Sequence, residues 1–382
     1  MTEKRLPPPP RLAGFDYIRP LGAGGFAAVY LYEQDLPRRP VAVKVLTGEL
    51  RHARDRSDFE AEADAMARIS NHPSIVSVHA AGIAADGRPY LVMEYCPGSM
   101  RERTRGAPAP LEAVLDAGVR LAGALETAHR SGILHRDIKP SNVLITATGR
   151  PALTDFGIAT LRGRAASDER SRAMSIPWAA PEVLTGETPG SVAGEIWSLG
   201  ATLYTFAAGH SPFALPEAER NTRRAITARI VRARYRPVPG ASGYQPFDAQ
   251  LARAMAREPK DRFASMREFG ESLQHLQRGY GFDVTPLDLA DPPAIPVAPL
   301  PAAPRPAAPR GPVGARLRAT TRVERRAMLG SGAKEGAGAP DRDGIAPDAP
   351  TSPLRAGLLG AAIAAVLVGG LAALAIAQGW IG

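Results

Sequence analysis

Asp137, Lys139 and Asn142 fall within six residues of one another, in the stretch Leu134-His135-Arg136-Asp137-Ile138-Lys139-Pro140-Ser141-Asn142-Val143-Leu144-Ile145. A carboxylate, an ammonium and an amide oxygen delivered together before an apolar strand can take up a proton, steady an anion and bind a hard cation. A second carboxylate, Asp155, follows eighteen residues past Asp137, in Thr154-Asp155-Phe156-Gly157. Far upstream, Lys44 interrupts the β-branched run Val41-Ala42-Val43-Lys44-Val45. A charge on a buried strand needs a partner. The following helical stretch, 58–69, offers Glu60 or Glu62, and counting three residues from Phe59 favours Glu62. Gly24 lies 20 positions before Lys44, within Leu21-Gly22-Ala23-Gly24-Gly25-Phe26-Ala27-Ala28-Val29-Tyr30. Glycines in such a bend let backbone N–H groups approach phosphate oxygens without a side chain in the way. Alone, a Gly-rich bend is more often an ordinary hairpin.

These residues need a scaffold. The glycine stretch reads as strand, turn, strand, and 41–45 as a further buried strand. A helix at 58–69 precedes two more strands, Ile75-Val76-Ser77-Val78 and Tyr90-Leu91-Val92-Met93-Glu94-Tyr95-Cys96. Beyond Asp155 come Ala180-Pro181-Glu182 and Ile196-Trp197-Ser198-Leu199-Gly200. Each motif alone is weak, but their joint order and spacing are highly specific.

Taken together these motifs resemble the eukaryotic-type bacterial serine/threonine protein kinases, over roughly residues 12–277. The resemblance implies an α+β, two-lobed protein kinase fold, with a small β-rich N-lobe, a hinge and a larger helical C-lobe. It implies that Leu21, Gly22, Gly24 and Gly25 cover the ATP phosphates. Lys44 would hold the α and β phosphates and pair with Glu62. The backbone of Glu94 and Cys96 would bind adenine beside the gatekeeper Met93, with Val29, Ala42 and Leu144 against its ring. Asp137 would orient the acceptor hydroxyl and take its proton, and Lys139 would steady the phosphoryl group in flight. Asn142 and Asp155 would bind Mg2+, with Mn2+ as an alternative ion. Phosphoryl transfer spreads charge over the phosphoryl oxygens, so its site consists of cations, metal-binding oxygens and one carboxylate. Protein substrates with Ser or Thr acceptors, including the chain itself, follow from the resemblance. The Lys139-Pro140-Ser141-Asn142 context is typical of Ser/Thr rather than Tyr kinases.

Departures from the family pattern mark where the reading is tested. Ala27 replaces the third glycine. Glu195 stands where an Asp usually anchors the backbone of the His-Arg-Asp loop, one methylene longer. These two positions are the support for an alternative, a pseudokinase or nucleotide-binding scaffold. Between Asp155 and Glu182 the candidate phosphosites are Ser167, Ser171 and Ser175, with Arg136 as the residue that would pair with a loop phosphate. Ser175 also lies five residues before Ala180, where the family has a substrate-facing Thr, and Trp178 where Tyr is common. Arg262 matches the family arginine that pairs structurally with Glu182. Cys96 reads as a packed hinge residue rather than a redox switch, since it is the only cysteine.

Composition breaks sharply after this region. The chain has 382 residues, 47 Lys and Arg against 38 Asp and Glu, and a 45% hydrophobic fraction. One cysteine excludes an internal disulfide framework. The totals exclude a collagen, a small secreted scaffold and a fully disordered chain. Residues 1–11 read as a tail, 12–277 as the kinase domain and 278–355 as a Pro/Ala/Arg-rich disordered linker. Residues 283–355 carry 14 prolines and no aromatic residue, too little apolar surface to offset the entropy of ordering. Residues 305–326 hold seven Arg and one Glu, a charge suited to anionic lipid or nucleic-acid phosphates. No nucleic-acid fold is recognisable, so no specific nucleic-acid partner is expected. Residues 356–377 carry no charge over 22 positions, about 33 Å as a helix, which suits one transmembrane helix. Arg342 and Arg355 before it place the kinase domain on the cytoplasmic side of the inner membrane, with 378–382 as a short extracytoplasmic tail. Gly357/Ala361 and Ala365/Gly369 give a spacing at which two such helices pack closely, so a homodimer belongs to the same expectation.

Overall fold

A computed structural model describes residues 7–24, 27–46, 53–105, 107–156, 175–238 and 244–290. Gly25, Ser167, Ser171, residues 291–355 of the expected linker, the expected span 356–377 and residues 378–382 lie outside them.

The first half is a five-stranded sheet. Its strands are β1 (Phe15–Ala23), β2 (Ala27–Gln34), β3 (Arg39–Leu46), β4 (Val78–Ile83) and β5 (Pro89–Glu94), in the order β1-β2-β3-β5-β4. All neighbours are antiparallel, as short connections allow. Val41, Val43 and Val45 of β3 are buried with Tyr30, Tyr32 and Val92 from the flanking strands. A helix, α1 (Ala53–Ile69), is the one connection that leaves the sheet. Leu12 belongs to the sheet's core, so the proline segment before it lies along the sheet. Tyr30 Oη and Tyr32 Oη donate to the carbonyls of Pro7 and Pro10, at 2.5 and 2.6 Å, and Arg88 Nη2 donates to Pro8 O at 2.8 Å. A proline run has no N–H of its own to occupy these carbonyls, so they are free to accept from side chains. This desolvation raises the Tyr32 hydroxyl to about 12.

The second half is mainly helical. It contains α2 (Met100–Thr104), α3 (Leu111–Arg130), α4 (Pro181–Leu184), α5 (Val192–Ala208), α6 (Arg223–Val231), α7 (Gln245–Ala254) and α8 (Met266–Tyr280). A small sheet of β6 (Gly98–Ser99), β7 (Val143–Ile145) and β8 (Pro151–Leu153) lies beside them. α5 is apolar on nearly every side and buried from Gly194 to Ala208 except at Ser198, the pattern of a central helix. Ser191 caps its start and left-handed Gly209 (φ 75°) ends it. Trp197 of α5 stacks on Phe213 with ring centroids 5.8 Å apart. Within residues 215–226, Asn221 bonds both the N–H and the C=O of Leu215.

Residues 278–290, assigned from composition to the linker, are packed. α8 continues to Tyr280, so the boundary expected at 277 falls inside a helix. The chain then runs back over α3. Thr285 Oγ1 donates to Asp116 at 2.8 Å, Ala290 N–H to Thr127 Oγ1 at 3.1 Å, and Asp288 pairs with Arg150. The carbonyl of Asp288 passes so close to Gly123 that a Cβ there would overlap it. Ser74 N–H donates to His72 Nδ1 at 3.1 Å, so Nε2 carries the proton and donates to Asp288 O at 3.0 Å. Burial holds the His72 pKa down, which keeps this neutral tautomer. No helix among the described residues is long and apolar enough to cross a membrane.

Candidate active site

The glycine bend joins β1 to β2. Gly22 pairs with Val29 and Ala23 with Ala28, and Gly24 N–H closes the bend on Ala27 O at 2.8 Å. A Cβ on Gly22 would meet nothing within 4 Å, and one on Gly24 only Ala27 O at 3.9 Å. Packing therefore does not demand glycine at either position, and the open face leaves room for a phosphate chain. Leu21 is half-buried at the end of β1.

Register places the next group. Val29 lies opposite Lys44, Lys44 opposite Leu91, and Ala42 opposite Met93. Met93 is buried, and Glu94 ends β5 with its N–H on Ser77 O at 2.9 Å. Leu144 is half-buried in β7, opposite Ser99. Cys96 is half-buried, and burial together with the Glu94 charge pushes its thiol up to about 12.

Lys44 departs from expectation. Its ammonium pairs with Asp155 Oδ1 at 2.5 Å rather than with Glu62 of α1. The Lys44 side chain is only 5% exposed, so the partner of this cation is set by which carboxylate reaches β3. Asp155 does so from a left-handed backbone (φ 69°). Its neighbour Thr154 donates its N–H to Asn142 O at 3.0 Å, which ties Asp155 to the loop that carries Asp137.

That loop is cross-braced. Lys139 Nζ lies 3.2 Å from Asp137 Oδ2. Asn142 Nδ2 donates to Asp137 O at 2.8 Å and to Asp137 Oδ2 at 3.2 Å. With its amide nitrogen so used, Asn142 has Oδ1 to offer a metal, and Asp155 adds carboxylate oxygen. This hard donor set fits Mg2+. Asp137 N–H donates to His135 Nδ1 at 3.3 Å. His135 is buried with its ring centroid 4.4 Å from that of Phe156, and burial lowers its pKa, so the imidazole accepts this bond as a neutral ring. Arg136 is left-handed (φ 64°), a conformation costly for a non-glycine residue and held here by its surroundings. The holding group is Glu195, whose Oε1 accepts the Arg136 N–H at 2.6 Å and whose Oε2 meets His129 Nε2 at 2.6 Å. The longer side chain at 195 thus reaches both the loop backbone and the last turn of α3.

Ser175 is brought to the centre. Its hydroxyl donates to Asp137 Oδ1 at 2.5 Å and accepts from Lys139 Nζ at 2.9 Å. Below it, Trp178 Nε1 donates to Thr205 Oγ1 at 2.9 Å. Glu182 and Arg262 form a buried, two-pronged pair at 2.7 and 2.9 Å. Arg262 also donates to the carbonyls of Ala193, Ala256 and Arg257 and lies over the Trp197 ring. Sequence reasoning missed His129. Its signal, a histidine in the last turn of a helix, is too common to single out.

Comparison with known proteins matches this geometry to a family. Residues 15–272 match the family model described as "Protein kinase domain". The chain is 42% identical over 285 residues to serine/threonine-protein kinase PknK of Mycobacterium tuberculosis, covering 72% of this chain and 25% of that protein. It is 37% identical over 273 residues to PknJ of the same species, covering 68% of this chain and 45% of that protein. The chain thus spans a quarter to somewhat under half of these relatives. Among solved structures, a point mutant of the PknI kinase domain of M. tuberculosis aligns with a TM-score of 0.53 and 29% identity, over 69% of this chain and 95% of that one.

Proposed function

Because the chain belongs to the protein kinase family, we propose that it transfers the γ-phosphoryl group of ATP to serine or threonine hydroxyls of proteins, itself included. The observation that carries this reading is the Ser175 hydroxyl, held 2.5 Å from Asp137 Oδ1 with Lys139 Nζ 2.9 Å away. A hydroxyl can sit at that carboxylate, with a cation beside it where charge develops.

In this mechanism Asp137 orients the acceptor hydroxyl and takes its proton as the new O–P bond forms and the bond from the γ-phosphorus to the bridging oxygen of ADP breaks. Lys139 steadies the phosphoryl oxygens in flight. Lys44 holds the α and β phosphates, and the glycine bend covers them. Asn142 and Asp155 hold Mg2+ or Mn2+, which when bound neutralises phosphate charge. The scaffold alternative rested on Ala27 and Glu195. Glu195 keeps its bond to the Arg136 backbone, which weakens that alternative.

The same proposal includes a membrane anchor at 356–377, a cytoplasmic kinase domain on a bacterial inner membrane, and dimerisation through that helix. What supports these is the uncharged 22-residue run and the arginines before it. Phosphate on Ser167 or Ser171, read by Arg136, is the proposed activation step.

Purified full-length chain with radiolabelled ATP and a generic basic protein tests the activity. Transfer is expected from the wild type and is lost in Asp137→Asn and in Lys44→Met. Robust incorporation by both variants would overturn the assignment. Membrane fractions that keep the chain after an alkaline carbonate wash, and lose it when 356–382 are deleted, test the anchor.

A further inference from the structure

The excess positive charge of the kinase region falls in one stretch of its sequence. Residues 1–282 carry 37 basic and 30 acidic side chains, an excess of seven. Residues 220–247 hold seven arginines and no acid, so the remainder of 1–282 is electrically balanced. The last three of these arginines, Arg232, Arg234 and Arg236, are all exposed. None forms an ion pair among the described residues.

The backbone that carries them is fixed. Ala233 turns left-handed (φ 49°) at the end of α6, with its N–H on Ile230 O at 2.7 Å. The chain then runs without helix or strand from Arg234 to Val238. Between the arginines, Tyr235 packs edge-on against Tyr204 and Phe213, with centroids at 5.5 and 6.3 Å, and donates to Asp248 O at 3.3 Å. Val238 is buried and gives its N–H to Asp248 Oδ1 at 3.2 Å. Anchored side chains thus alternate with solvent-facing guanidinium groups. Arg234 and Arg236 share this run, where alternate residues of an extended chain are about 6.6 Å apart, the repeat at which an extended peptide presents its own alternate side chains, and Arg232 precedes it across the turn at Ala233. Guanidinium forks match carboxylates in a planar, two-bond geometry.

We propose that Arg232, Arg234 and Arg236 dock an acidic, extended segment of the protein substrate, outside the residues around its phosphoacceptor. This rests on the kinase reading above and names a substrate class for it: proteins with alternating Asp or Glu some distance from the acceptor Ser or Thr. Three partly solvated charge pairs make this a selectivity of about tenfold rather than an absolute requirement.

The test uses the full chain and two serine peptides that differ only in a tail, Glu-Ala-Glu-Ala-Glu in one and Gln-Ala-Gln-Ala-Gln in the other. The wild type is expected to favour the acidic tail about tenfold in kcat/KM, mainly through KM, and to lose the preference as salt rises. The triple variant Arg232→Gln, Arg234→Gln, Arg236→Gln should treat the two peptides alike, with autophosphorylation and the Gln-tailed rate unchanged. The triple Glu variant should in turn favour a Lys-tailed peptide. Equal use of the peptides by the wild type, or a preference that survives in the Gln variant, would overturn the docking proposal. So would arginine-dependent binding of a single-stranded oligonucleotide or of anionic vesicles with no peptide preference. A wild type that transfers phosphate neither to a peptide nor to itself would sink the kinase reading instead.

Discussion

Lys44 reaches the site from a strand, whereas Asp137, Lys139 and Asn142 reach it from an irregular loop. On the strand, register alone sets position: Val29 and Leu91 lie opposite Lys44, and the ammonium needs one ion pair, to Asp155. The loop has no register. It is fixed by side chains that bond its backbone: Glu195 on Arg136, Asn142 on Asp137 and His135 on Asp137. Two of the three left-handed non-glycine residues among those described, Arg136 and Asp155, lie on this side. The strand side can therefore tolerate a change of partner, while the loop side is locked.

The sharpest way to break that contrast is kinetic. Asp137→Asn removes the proposed proton acceptor and should lower kcat about 10²–10⁴-fold with little change in KM for ATP. Lys44→Met should raise KM for ATP as well as lower kcat, since its cation is proposed to hold the nucleotide phosphates. Steady-state kinetics at varied ATP distinguish the two. Matching losses in the same parameter would remove the division of labour between strand and loop.

Stability gives the next largest difference. Arg262→Ala leaves Glu182 charged and buried, and five hydrogen bonds of Arg262 are lost with it. A loss of about 3–5 kcal/mol is expected in urea unfolding. Lys44→Met should cost clearly less, because the Asp155 side chain is 25% exposed and water can take over its solvation. Equal costs would mean that Lys44 is as much a structural brace as Arg262.

Each half is also strapped by a segment that flanks it in the sequence, and the straps differ in kind. Residues 285–290 are held through a close approach: the Asp288 carbonyl passes over Gly123, which has no Cβ to obstruct it. Gly123→Ala should force the strap away and cost about 1–3 kcal/mol. Amide exchange at 285–290 should rise with it, and exchange unchanged there would show that the strap does not depend on this contact.

What could be read in the sequence follows the same division. Asp137, Asn142, Asp155, Lys44 and the glycine bend could be singled out in the sequence because the chemistry proposed for them dictates their types and intervals. The sheet was legible from runs such as 41–45, but the strand expected at 75–78 begins only at Val78 and runs on to Ile83. Glu62 was a helix count, and a count cannot tell which of two carboxylates reaches a lysine across a fold. Ser175 could be placed on the substrate-facing side but not onto Asp137, because that contact joins residues 38 apart in sequence. Thr285 and Asp288 looked like linker because composition averages over a window. Asp116, which bonds Thr285, and His72 and Arg150, which hold Asp288, are distant residues that no window contains.

The N-terminal strap should show the smallest effect and a distinct pH signature. It is held by tyrosine hydroxyls and the Arg88 guanidinium on proline carbonyls. Tyr32→Phe removes one such bond and should cost about 1 kcal/mol at neutral pH. Burial raises the Tyr32 hydroxyl from 10 to about 12 in the folded chain. The folded state thus favours the protonated form. That contribution is complete below pH 10 and disappears as pH rises toward 12, because the unfolded chain loses the proton first. Urea unfolding between pH 9 and pH 12 should therefore show a steeper fall for the wild type than for Tyr32→Phe. Parallel curves would place the Tyr32 hydroxyl in water and the proline segment off the sheet.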